Sequence, residues 1–414
     1  MRIAQIAYER TPKRVAPSGG DLGAYQNICA LSDLGHEVHL IVLGPRTSIA
    51  PEIERRARVH WLAPKSGWSA AQFAARLFNP ETVALRFPDA RGYHAAIRQL
   101  MEVIQPDLVW ADSTFALAVA PRDTHPVVFG NYDFLFKLKS VRGQTSRTPL
   151  RRALAGRLRA RLKRPDVLSP AALEELELRL AREAAHVMCV SASETEYLVA
   201  RGIPATTIPI VGPTVPRVEA PPFDAAPRLF LFGNHNTAHK AALSEIRHRL
   251  WPEARRVDLG LEWHQVGRPP QTADDDWAWM TRSFDRVHGF VDDLCSVFRP
   301  GDLSIVPYKH DTGFRTKFTV AAAYGVVSAG YTQSFLCAPE FEPGRDCVSA
   351  ASPENLVEAL QRYAADRRWR QSLADGARAL YDTAFTFEAQ LPRYERVIAE
   401  ALGRAPDPSL AALG

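Results

Sequence analysis

The chain has 414 residues, 46% of them hydrophobic and 23% charged, with a formal net charge of +5. This composition is typical of soluble globular proteins, and the length is enough for two domains that each bury a core. Met1 to Tyr8 lack the basic start of a signal peptide and no run of about 18 apolar residues is present, so we expect a cytoplasmic protein without a membrane span. The five cysteines lie in unrelated contexts, which favours reduced thiols over a zinc site.

The first half of the chain alternates short apolar runs with helical patterns. The predicted strands are Arg2–Ala7, Val38–Leu43, Val59–Leu62, Leu108–Trp110, Pro126–Phe129 and, closing the domain, Val187–Val190. Helices are predicted between them, ending at Asp33, over His94–Ile104 and from Ser169–Pro170. Strands separated by helices indicate right-handed crossovers and a parallel sheet that is covered on both faces.

A proline-rich segment separates the two halves. Gly212–Pro227 contains five prolines in sixteen residues, which predicts a linker. The pattern then restarts, with strands at Leu229–Phe232, Glu262–Val266, Val287–His288, Leu303–Val306 and Val326–Val327, and helices at Leu243–Leu250, Pro353–Ala364, Trp369–Tyr381 and Glu388–Leu402. We therefore predict an N-terminal domain over 1–212, a linker over 213–227, a second domain over 228–386, and a final segment, 387–414, whose helix crosses back to the first domain.

The parallel sheets expected in both halves indicate where a ligand would bind. Open parallel sheets bind ligands at the carboxyl ends of their strands, near the point where the strand order reverses. Helix N-termini and glycine-rich turns at that edge present free N–H groups to anions. We therefore expect a phosphate-bearing ligand in a cleft between the two domains.

Several motifs follow one another in a fixed order. They are the opening strand with its Gly-Gly turn and Gly-His-Glu-Val (residues 1–43), VMCVSASETEYLVARGIP, RLFLFGNHN, WHQVG, VHGFVDD and LSIVPYKHDTGFRTKFTVAAAYGVV. In order and spacing they resemble the retaining GT-B glycosyltransferases of the large family-four group, over nearly the whole chain. The resemblance implies an α/β fold of two Rossmann-like, doubly wound parallel-sheet domains that face a cleft. The N-terminal domain would take the acceptor and the C-terminal domain the nucleotide-sugar donor.

Two places in the first half have a role in that family. The resemblance implies that the backbone of Gly19 and Gly20 approaches the donor phosphate, because only glycine permits so close an approach. A tight turn and nothing more is the alternative. The resemblance also implies that Asp112, at the end of a strand, is a catalytic residue that contacts the sugar near the reacting centre. A helix N-cap serving Phe115 onward is an equal alternative for Asp112.

Two loops in the second half are implied donor contacts. Gly233 and Asn234 lie where the family often has Gly-Arg on a phosphate. Lys240 would supply the missing charge, unless it is only a solvated helix lysine. The loop that reads the nucleobase through its backbone would contain His288, Phe290 and Val291, with a bare strand end as the alternative.

A basic segment before a helix of small residues is the strongest predicted donor contact. An arginine can bind two phosphate oxygens at once and a lysine adds a point charge, so the segment suits a diphosphate. The alternative is an exposed basic loop without a ligand. The residues of the segment are Gly313, Phe314, Arg315, Thr316 and Lys317.

The family usually has a ribose-binding glutamate three residues after this lysine, often with another eight residues earlier. Here Val320 and Thr312 stand in those places, so the ribose is held differently, donor binding has weakened, or the chain is a degenerate copy.

A second basic segment has a different pattern. Between Asp133 and Asp166 there is no acidic residue and there are eleven basic ones. Thr148–Pro149 predicts the start of a helix that reaches about Arg164, with leucines recurring every four residues. Such a helix suits an anionic inner leaflet, and packing of its leucines on the domain is the alternative. The predicted docking residues are Arg151, Arg152, Arg157, Arg159, Lys163 and Arg164. Nucleic acid is not expected as a partner, because no aromatic residues interleave with these cations.

These features predict an enzyme that moves a sugar from a nucleoside-diphosphate sugar to a hydroxyl of a polysaccharide, a lipid-linked glycan or a similar acceptor. As the resemblance implies, configuration is retained. We expect no metal and no other cofactor, because cations and helix N-termini would neutralise the leaving diphosphate. Two alternatives stay open. One is a catalytically inactive GT-B protein that binds nucleotide or glycan as a partner protein, and the other is a GT-B epimerase or phosphorylase.

Overall fold

The computed structural model describes residues 1–8, 19–44, 46, 48–63, 90–145, 169–216, 226–234 and 236–404. The chain divides into two compact units, Met1–Ile208 with Leu391–Gly414, and Pro209–Gln390. Each unit has one parallel sheet with helices, of seven strands in the first and six in the second. The predicted basic helix 148–164, with its six docking residues, lies outside the described residues, as does 217–225 of the predicted linker.

Unit 1 is built on a sheet in the order β3-β2-β1-β4-β5-β6-β7. Its strands are β1 Arg2–Tyr8, β2 Glu37–Leu43, β3 Ala57–Leu62, β4 Leu108–Asp112, β5 Val127–Asn131, β6 His186–Cys189 and β7 Ala205–Thr207. Strands β4 and β5 are buried along their whole length, as expected for a sheet covered on both faces. The six predicted strands are confirmed, but the prediction that Val187–Val190 closes the sheet is wrong. The three-residue β7 pairs outside β6 and is too short to show a pattern.

The helices of unit 1 lie between these strands. They are α1 Gly19–Asp33, α2 Pro51–Arg56, α3 Ala90–Ile104, α4 Thr114–Val119, α5 Leu135–Thr145, α6 Pro170–Arg182 and α7 Ala192–Val199. Helix α6 begins as predicted, because the Ser169 side chain accepts from the Ala172 N–H at 3.2 Å and Pro170 opens the first turn.

One buried histidine makes the stability of unit 1 depend on pH. Burial lowers the pKa of His186, on β6, to about 4, although a carboxylate oxygen of Glu400 lies 3.3 Å from Nδ1. Folding therefore favours the neutral ring, so stability is lost as pH falls from the unfolded pKa of about 6.5 toward the folded value. We expect the His186 contribution to fall by about 2 kcal/mol between pH 7.5 and pH 5, measured by urea unfolding. His186→Gln should lose correspondingly less over that range, and an equal loss in both proteins would contradict the assignment.

Unit 2 is built on a sheet in the order β10-β9-β8-β11-β12-β13. Its strands are β8 Arg228–Phe232, β9 Glu262–Val266, β10 Arg286–Val287, β11 Leu303–Val306, β12 Val327–Tyr331 and β13 Cys347–Ala350. Five of them fall at predicted positions, and β13 was not predicted. Its helices are α8 Thr237–Glu245, α9 Trp251–Ala254, α10 Asp275–Ser283, α11 Thr316–Ala323, α12 Thr332–Phe335, α13 Pro353–Ala365 and α14 Arg367–Leu380. The helix predicted at Leu243–Leu250 is wrong in its start, because the Asn236 side chain caps α8 and a π-helical turn occupies Ile246–Leu250.

The last described helix, α15 (Phe387–Ala401), belongs to unit 1 from Leu391 onward. Its Tyr394 ring stacks on Trp110 of β4, with the ring centroids 5.7 Å apart. The Tyr394 hydroxyl donates to Asn27 Oδ1 at 2.6 Å, so this helix forms part of the core of unit 1. None of the helices that the structure describes is long and apolar enough to cross a bilayer.

Candidate active site

Three neighbouring strands of unit 2 end in glycines with positive φ. Gly233, Gly267 and Gly289 follow β8, β9 and β10, with φ of +122°, +140° and +73°. The Gly267 N–H donates to the Gly289 carbonyl at 2.7 Å, and the Gly233 N–H donates to the Val266 carbonyl at 2.9 Å. A β-carbon on Gly267 would lie 2.1 Å from the Gly233 carbonyl oxygen. These glycines form a floor without side chains at the carboxyl edge of the sheet, where parallel sheets bind ligands. We call it the glycine floor.

Gly267→Ala is expected to destabilise unit 2 by about 3 kcal/mol, because the methyl group would strike the Gly233 carbonyl and φ is left-handed. Gly344 is a matched control, since it has a φ of +83° but nothing within 4 Å of the added carbon. Gly344→Ala should therefore cost only about 1–2 kcal/mol. Urea unfolding of both variants measures the difference, and equal losses would contradict the close approach of the two strand ends.

A buried ammonium lies beside the glycine floor. Lys317 is in the first turn of α11, the helix that follows β11, and β11 neighbours β8 where the strand order reverses. A β-carbon on Gly233 would lie 3.2 Å from Lys317 Nζ. That nitrogen is buried and has no hydrogen-bond partner within the described part of the chain. The rings of Phe232 and Tyr308, each 5.7 Å from it, offer only weak compensation. An uncompensated buried charge is costly, so this position favours binding of an anion.

A histidine that sequence reasoning missed lies at the same point. His239 is in the first turn of α8 and is 1% exposed. Its Nδ1 lies 4.0 Å from the position that a β-carbon on Gly233 would occupy. The sequence singled out Lys240 instead, but Lys240 is half-exposed and pairs with Asp274 at 3.2 Å. Because Asn236 is the N-cap of α8, His239 falls on the buried side of the first turn. The sequence analysis placed the start of this helix at Leu243, so it did not assign His239 to a helix.

Arg315 mainly shapes the loop that precedes Lys317. Its terminal nitrogens donate to the carbonyls of His310, at 2.6 Å, and Thr312, and its guanidinium carbon lies 4.7 Å from the centre of the Tyr308 ring. Two of the N–H groups predicted to fork onto a diphosphate are therefore used within the loop. Gly313 in this loop is buried and has a φ of +51°. The other predicted residues of the segment are Phe314, which packs toward Phe385, and Thr316, which opens α11.

The other end of the glycine floor carries an exposed aromatic ring. Phe290 follows Gly289 and is 48% exposed, and the guanidinium carbon of Arg268, which follows Gly267, lies 4.5 Å from its ring centre. The loop predicted to read a nucleobase thus presents a ring as well as its backbone. Val291 joins a small apolar cluster that also includes Val320 of α11.

The ring of His288 is part of a hydrogen-bonded chain on the sheet. Its Nε2 lies 3.1 Å from His264 Nδ1, and His264 Nε2 lies 3.2 Å from Glu262 Oε2. Burial is the largest cause of the lowered pKa of both histidines. The His288 side chain is therefore held by the sheet.

Asp112 closes β4 in unit 1, next to β1, where that strand order reverses. It is 2% exposed, and its carboxylate accepts from Gln5 Nε2, from Asn27 Nδ2 at 2.8 Å and from the Tyr132 hydroxyl at 2.7 Å. The alternative that Asp112 caps a helix is wrong, because Ser113 occupies the N-cap position of α4 and makes no side-chain capping bond. The structure makes Asp112 the centre of a buried polar network.

The comparisons agree with this architecture. Residues 18–217 match the model of the family described as Glycosyltransferase Family 4. Sucrose-phosphate synthase from Thermosynechococcus elongatus is similar over 97% of this chain and 99% of its own, with a TM-score of 0.66 and 17% identity. Anabaena HepE in complex with UDP and glucose is similar over 96% and 99%, with a TM-score of 0.63 and 12% identity. The fold is GT-B.

A third GT-B structure gives the same result. TarM of S. aureus, in a complex that contains UDP, is similar over 96% of this chain and 99% of its own, with a TM-score of 0.63 and 8% identity. No curated protein matches the chain. The family match over the first half and the shared fold indicate that this protein is an enzyme, a glycosyltransferase of the GT-B type.

The predicted site residues of this GT-B protein fall into two groups. Gly233 belongs to the glycine floor, Lys317 and Phe290 border it, and Asn234 is exposed just beyond it. In unit 1, Gly19 and Gly20 open α1 instead of preceding it as a loop. Across the described residues, no group of three or more His, Cys, Asp or Glu side chains is arranged to hold a metal ion.

Ser113 is a further residue that sequence reasoning missed. Its φ of +97° and ψ of 160° are rare for a residue with a side chain, and its N–H donates to the Gly130 carbonyl at 2.9 Å. Such strain costs on the order of 1–3 kcal/mol and clusters at functional sites. The strained residue follows Asp112 directly, at the carboxyl edge of the unit 1 sheet.

Proposed function

We propose that this glycosyltransferase moves a sugar from a nucleoside-diphosphate sugar to a hydroxyl acceptor, with the donor bound on the glycine floor of unit 2. The observation that carries the proposal is the buried ammonium of Lys317, which lies beside a backbone surface with no side chains. A diphosphate placed over Gly233 would meet Lys317 and His239, each in the first turn of a helix that flanks the strand reversal. The complex of HepE with UDP and glucose supports this choice of ligand class.

The proposed chemistry follows from that placement. The bond from the anomeric carbon to the β-phosphate oxygen breaks, and the acceptor oxygen forms a new bond to the same carbon while its proton passes to an oxygen of the departing diphosphate. Negative charge grows on the departing diphosphate as the sugar becomes oxocarbenium-like. Lys317 would stabilise that charge more strongly in the transition state than in the ground state, which is what accelerates the step. Retained configuration and independence of metal remain part of this proposal.

Val320 bears on how the ribose is held. It lies one turn beyond Lys317, where the family usually has a ribose-binding glutamate, and it is partly buried against the same apolar cluster as Val291. In the proposed complex no carboxylate therefore contacts the ribose, and the nucleotide is held by its phosphate and base contacts. An inactive nucleotide-binding partner protein is the second candidate function, and this apolar packing is the observation that favours it.

Unit 1 would supply the acceptor side. Asp112, proposed from the sequence as catalytic, would act by holding Asn27 and Tyr132 in place. Contact of Gly19 and Gly20 with the donor phosphate stays a prediction. So does docking of the basic segment 148–164 on an anionic membrane from the cytoplasmic side.

A thermal-shift screen with UDP, GDP, ADP and dTDP tests the proposal. A ligand at 100 times its dissociation constant stabilises by about 2.7 kcal/mol, so one of the four should raise the melting temperature by several degrees. The corresponding sugar nucleotide should then be turned over in the presence of glycan acceptors or slowly hydrolysed. Binding without any turnover would favour the inactive partner protein, and no shift with any of the four would overturn the donor site.

A further inference from the structure

A buried carboxylate on α6 joins two loops at the carboxyl edge of the unit 1 sheet. Glu177 is fully buried. Its Oε1 accepts from the Thr114 hydroxyl at 2.9 Å and from the Leu135 N–H at 3.0 Å. Its Oε2 accepts from the Phe136 N–H at 3.0 Å. Thr114 opens α4, the helix after β4, and Leu135 and Phe136 open α5, the helix after β5. One side chain therefore ties together the first turns of two helices.

The contact with Thr114 anchors a strained turn. Ser113 precedes Thr114, follows Asp112 and has a φ of +97°. Strain of this kind persists only where the surrounding contacts over-determine the backbone. On one side of the turn the Ser113 N–H donates to the Gly130 carbonyl at 2.9 Å. On the other side Glu177 holds the Thr114 hydroxyl, so it helps to fix the turn that follows Asp112.

The contact with α5 replaces a missing helix cap. Phe134 precedes the helix and has no side-chain oxygen, so it cannot cap the first N–H groups of α5. Glu177 supplies the acceptor from α6, and a negative charge suits a helix N-terminus. Two residues before Phe134, the Tyr132 hydroxyl donates to Asp112 at 2.7 Å. Glu177 therefore also holds the loop that brings Tyr132 to Asp112.

Burial and a like charge both act on the Glu177 carboxylate. No lysine, arginine or histidine of the described residues forms an ion pair with it, and Asp133, just before α5, repels it. Lys137 of α5 lies 4.0 Å from the carboxylate of Glu194 instead. Helix α4 has no titratable side chain. Tyr197 of α7 is close enough to feel the charge of Glu177 but stays neutral near pH 7, because burial raises its pKa to about 12.

The pKa of Glu177 lies close to neutral pH. Burial, the largest cause, raises it to about 7, although the three hydrogen bonds favour the ionised form. Both oxygens accept hydrogen bonds, so protonation puts a hydrogen on an atom that already faces a donor and weakens the bond accepted there. A change of charge near pH 7 therefore changes the hold on Thr114 or on α5.

We propose that Glu177 is a positioning residue for the acceptor side of the enzyme, and that its ionised form is the one that holds the Ser113 turn and the start of α5. This proposal rests on the proposed function, in which unit 1 supplies the acceptor side. Below about pH 7 Glu177 is mostly protonated, and the two loops beside Asp112 loosen. Turnover then falls, whereas nucleotide binding on unit 2 does not depend on Glu177.

Hydrogen exchange followed by mass spectrometry tests the contact without any substrate. The protonated fraction of a carboxyl with a pKa of about 7 rises from about 10% at pH 8 to about 90% at pH 6. After correction for the intrinsic rate, the Leu135 and Phe136 amides of the wild type should therefore exchange about tenfold faster at pH 6. Glu177→Gln should show the fast rate at both pH values. Glu175→Gln is the matched control, because Glu175 is an exposed glutamate of α6, and it should follow the wild type.

Turnover of the sugar nucleotide chosen by the thermal-shift screen gives the functional readout. The kcat of the wild type and of Glu175→Gln should fall about tenfold between pH 8 and pH 6. Glu177→Gln should be about tenfold slower than the wild type at pH 8 and should lose nothing further at pH 6. At each pH, the calorimetric affinity of both variants for the nucleotide should stay within about threefold of the wild type.

The outcomes separate the two proposals. If no sugar nucleotide is turned over, the proposed function fails, and the role of Glu177 stands or falls on the exchange rates alone. Equal exchange at pH 8 and pH 6 in the wild type would overturn the dependence on charge. If Glu177→Gln turns over like Glu175→Gln at pH 8, or keeps the same fall toward pH 6, the positioning role is overturned while the donor site stands.

Discussion

Lys317→Met is expected to weaken nucleotide binding by a factor of at least about 30 and, at the same time, to make the unliganded protein more stable. Methionine keeps the length of the side chain and packs well against the rings of Phe232 and Tyr308, which flank the ammonium. Removal of a buried charge without a partner should stabilise the unliganded protein by about 1 kcal/mol. Loss of the charged contact with a diphosphate should weaken binding by about 2 kcal/mol or more, a factor of at least about 30.

Lys240→Met is the matched control for this prediction. Lys240 is half-exposed and pairs with Asp274, and such surface pairs contribute about 0–1 kcal/mol. The control should be slightly destabilised and should bind nucleotide within about threefold of the wild type. Melting temperature without ligand and calorimetric affinity for the nucleotide chosen by the thermal-shift screen measure both effects. If Lys317→Met and Lys240→Met behave alike, Lys317 is not the anion site.

Asp112→Asn is expected to destabilise unit 1 by about 3 kcal/mol, the second large effect. The carboxylate accepts from Gln5, Asn27 and Tyr132 in a buried place, and an amide would turn its own donor against one of them. Leaving buried donors unsatisfied costs about 1–3 kcal/mol each. Unfolding in urea measures the loss.

The double variant Asp112→Asn with Tyr132→Phe sharpens the test. It removes one of the three donors to residue 112. Because both changes act within one hydrogen-bond network, the double variant should lose less stability than the two single variants lose together. Asp275→Asn, at an exposed aspartate of α10, should change stability by less than about 0.5 kcal/mol. If Asp112→Asn kept full stability and lost only turnover, Asp112 would instead be the catalytic residue that the family resemblance implies.

The sequence predicted the strands well because their signal is local. Buried runs such as Leu229–Phe232 need only their own apolar residues to be recognised. Strands β7 and β13 have three and four residues and gain their order from pairing with β6 and β12, which no local pattern records. Lys317 was predicted from its own segment, whereas the inward position of His239 depends on the exact start of α8.

The chemistry of individual side chains was harder to predict, since it depends on distant parts of the chain. Arg315 looked equivalent to Lys317, but its own loop carbonyls bind its terminal nitrogens. The partners of Asp112 come from α1, β1 and the residue after β5, so its enclosure appears only when these meet at one sheet edge. Arg268 was not predicted as a site residue, because its contact with the Phe290 ring exists only once the fold brings the two loops together.

The most direct measurement is a crystal structure of the protein with the nucleotide that gives the largest thermal shift. A phosphate oxygen within about 2.7–2.9 Å of Lys317 Nζ, with the phosphates lying over Gly233, is the expected result. Phosphates bound elsewhere, with that ammonium still enclosed and unpaired, would contradict the assignment of unit 2 as the donor-binding part of the enzyme.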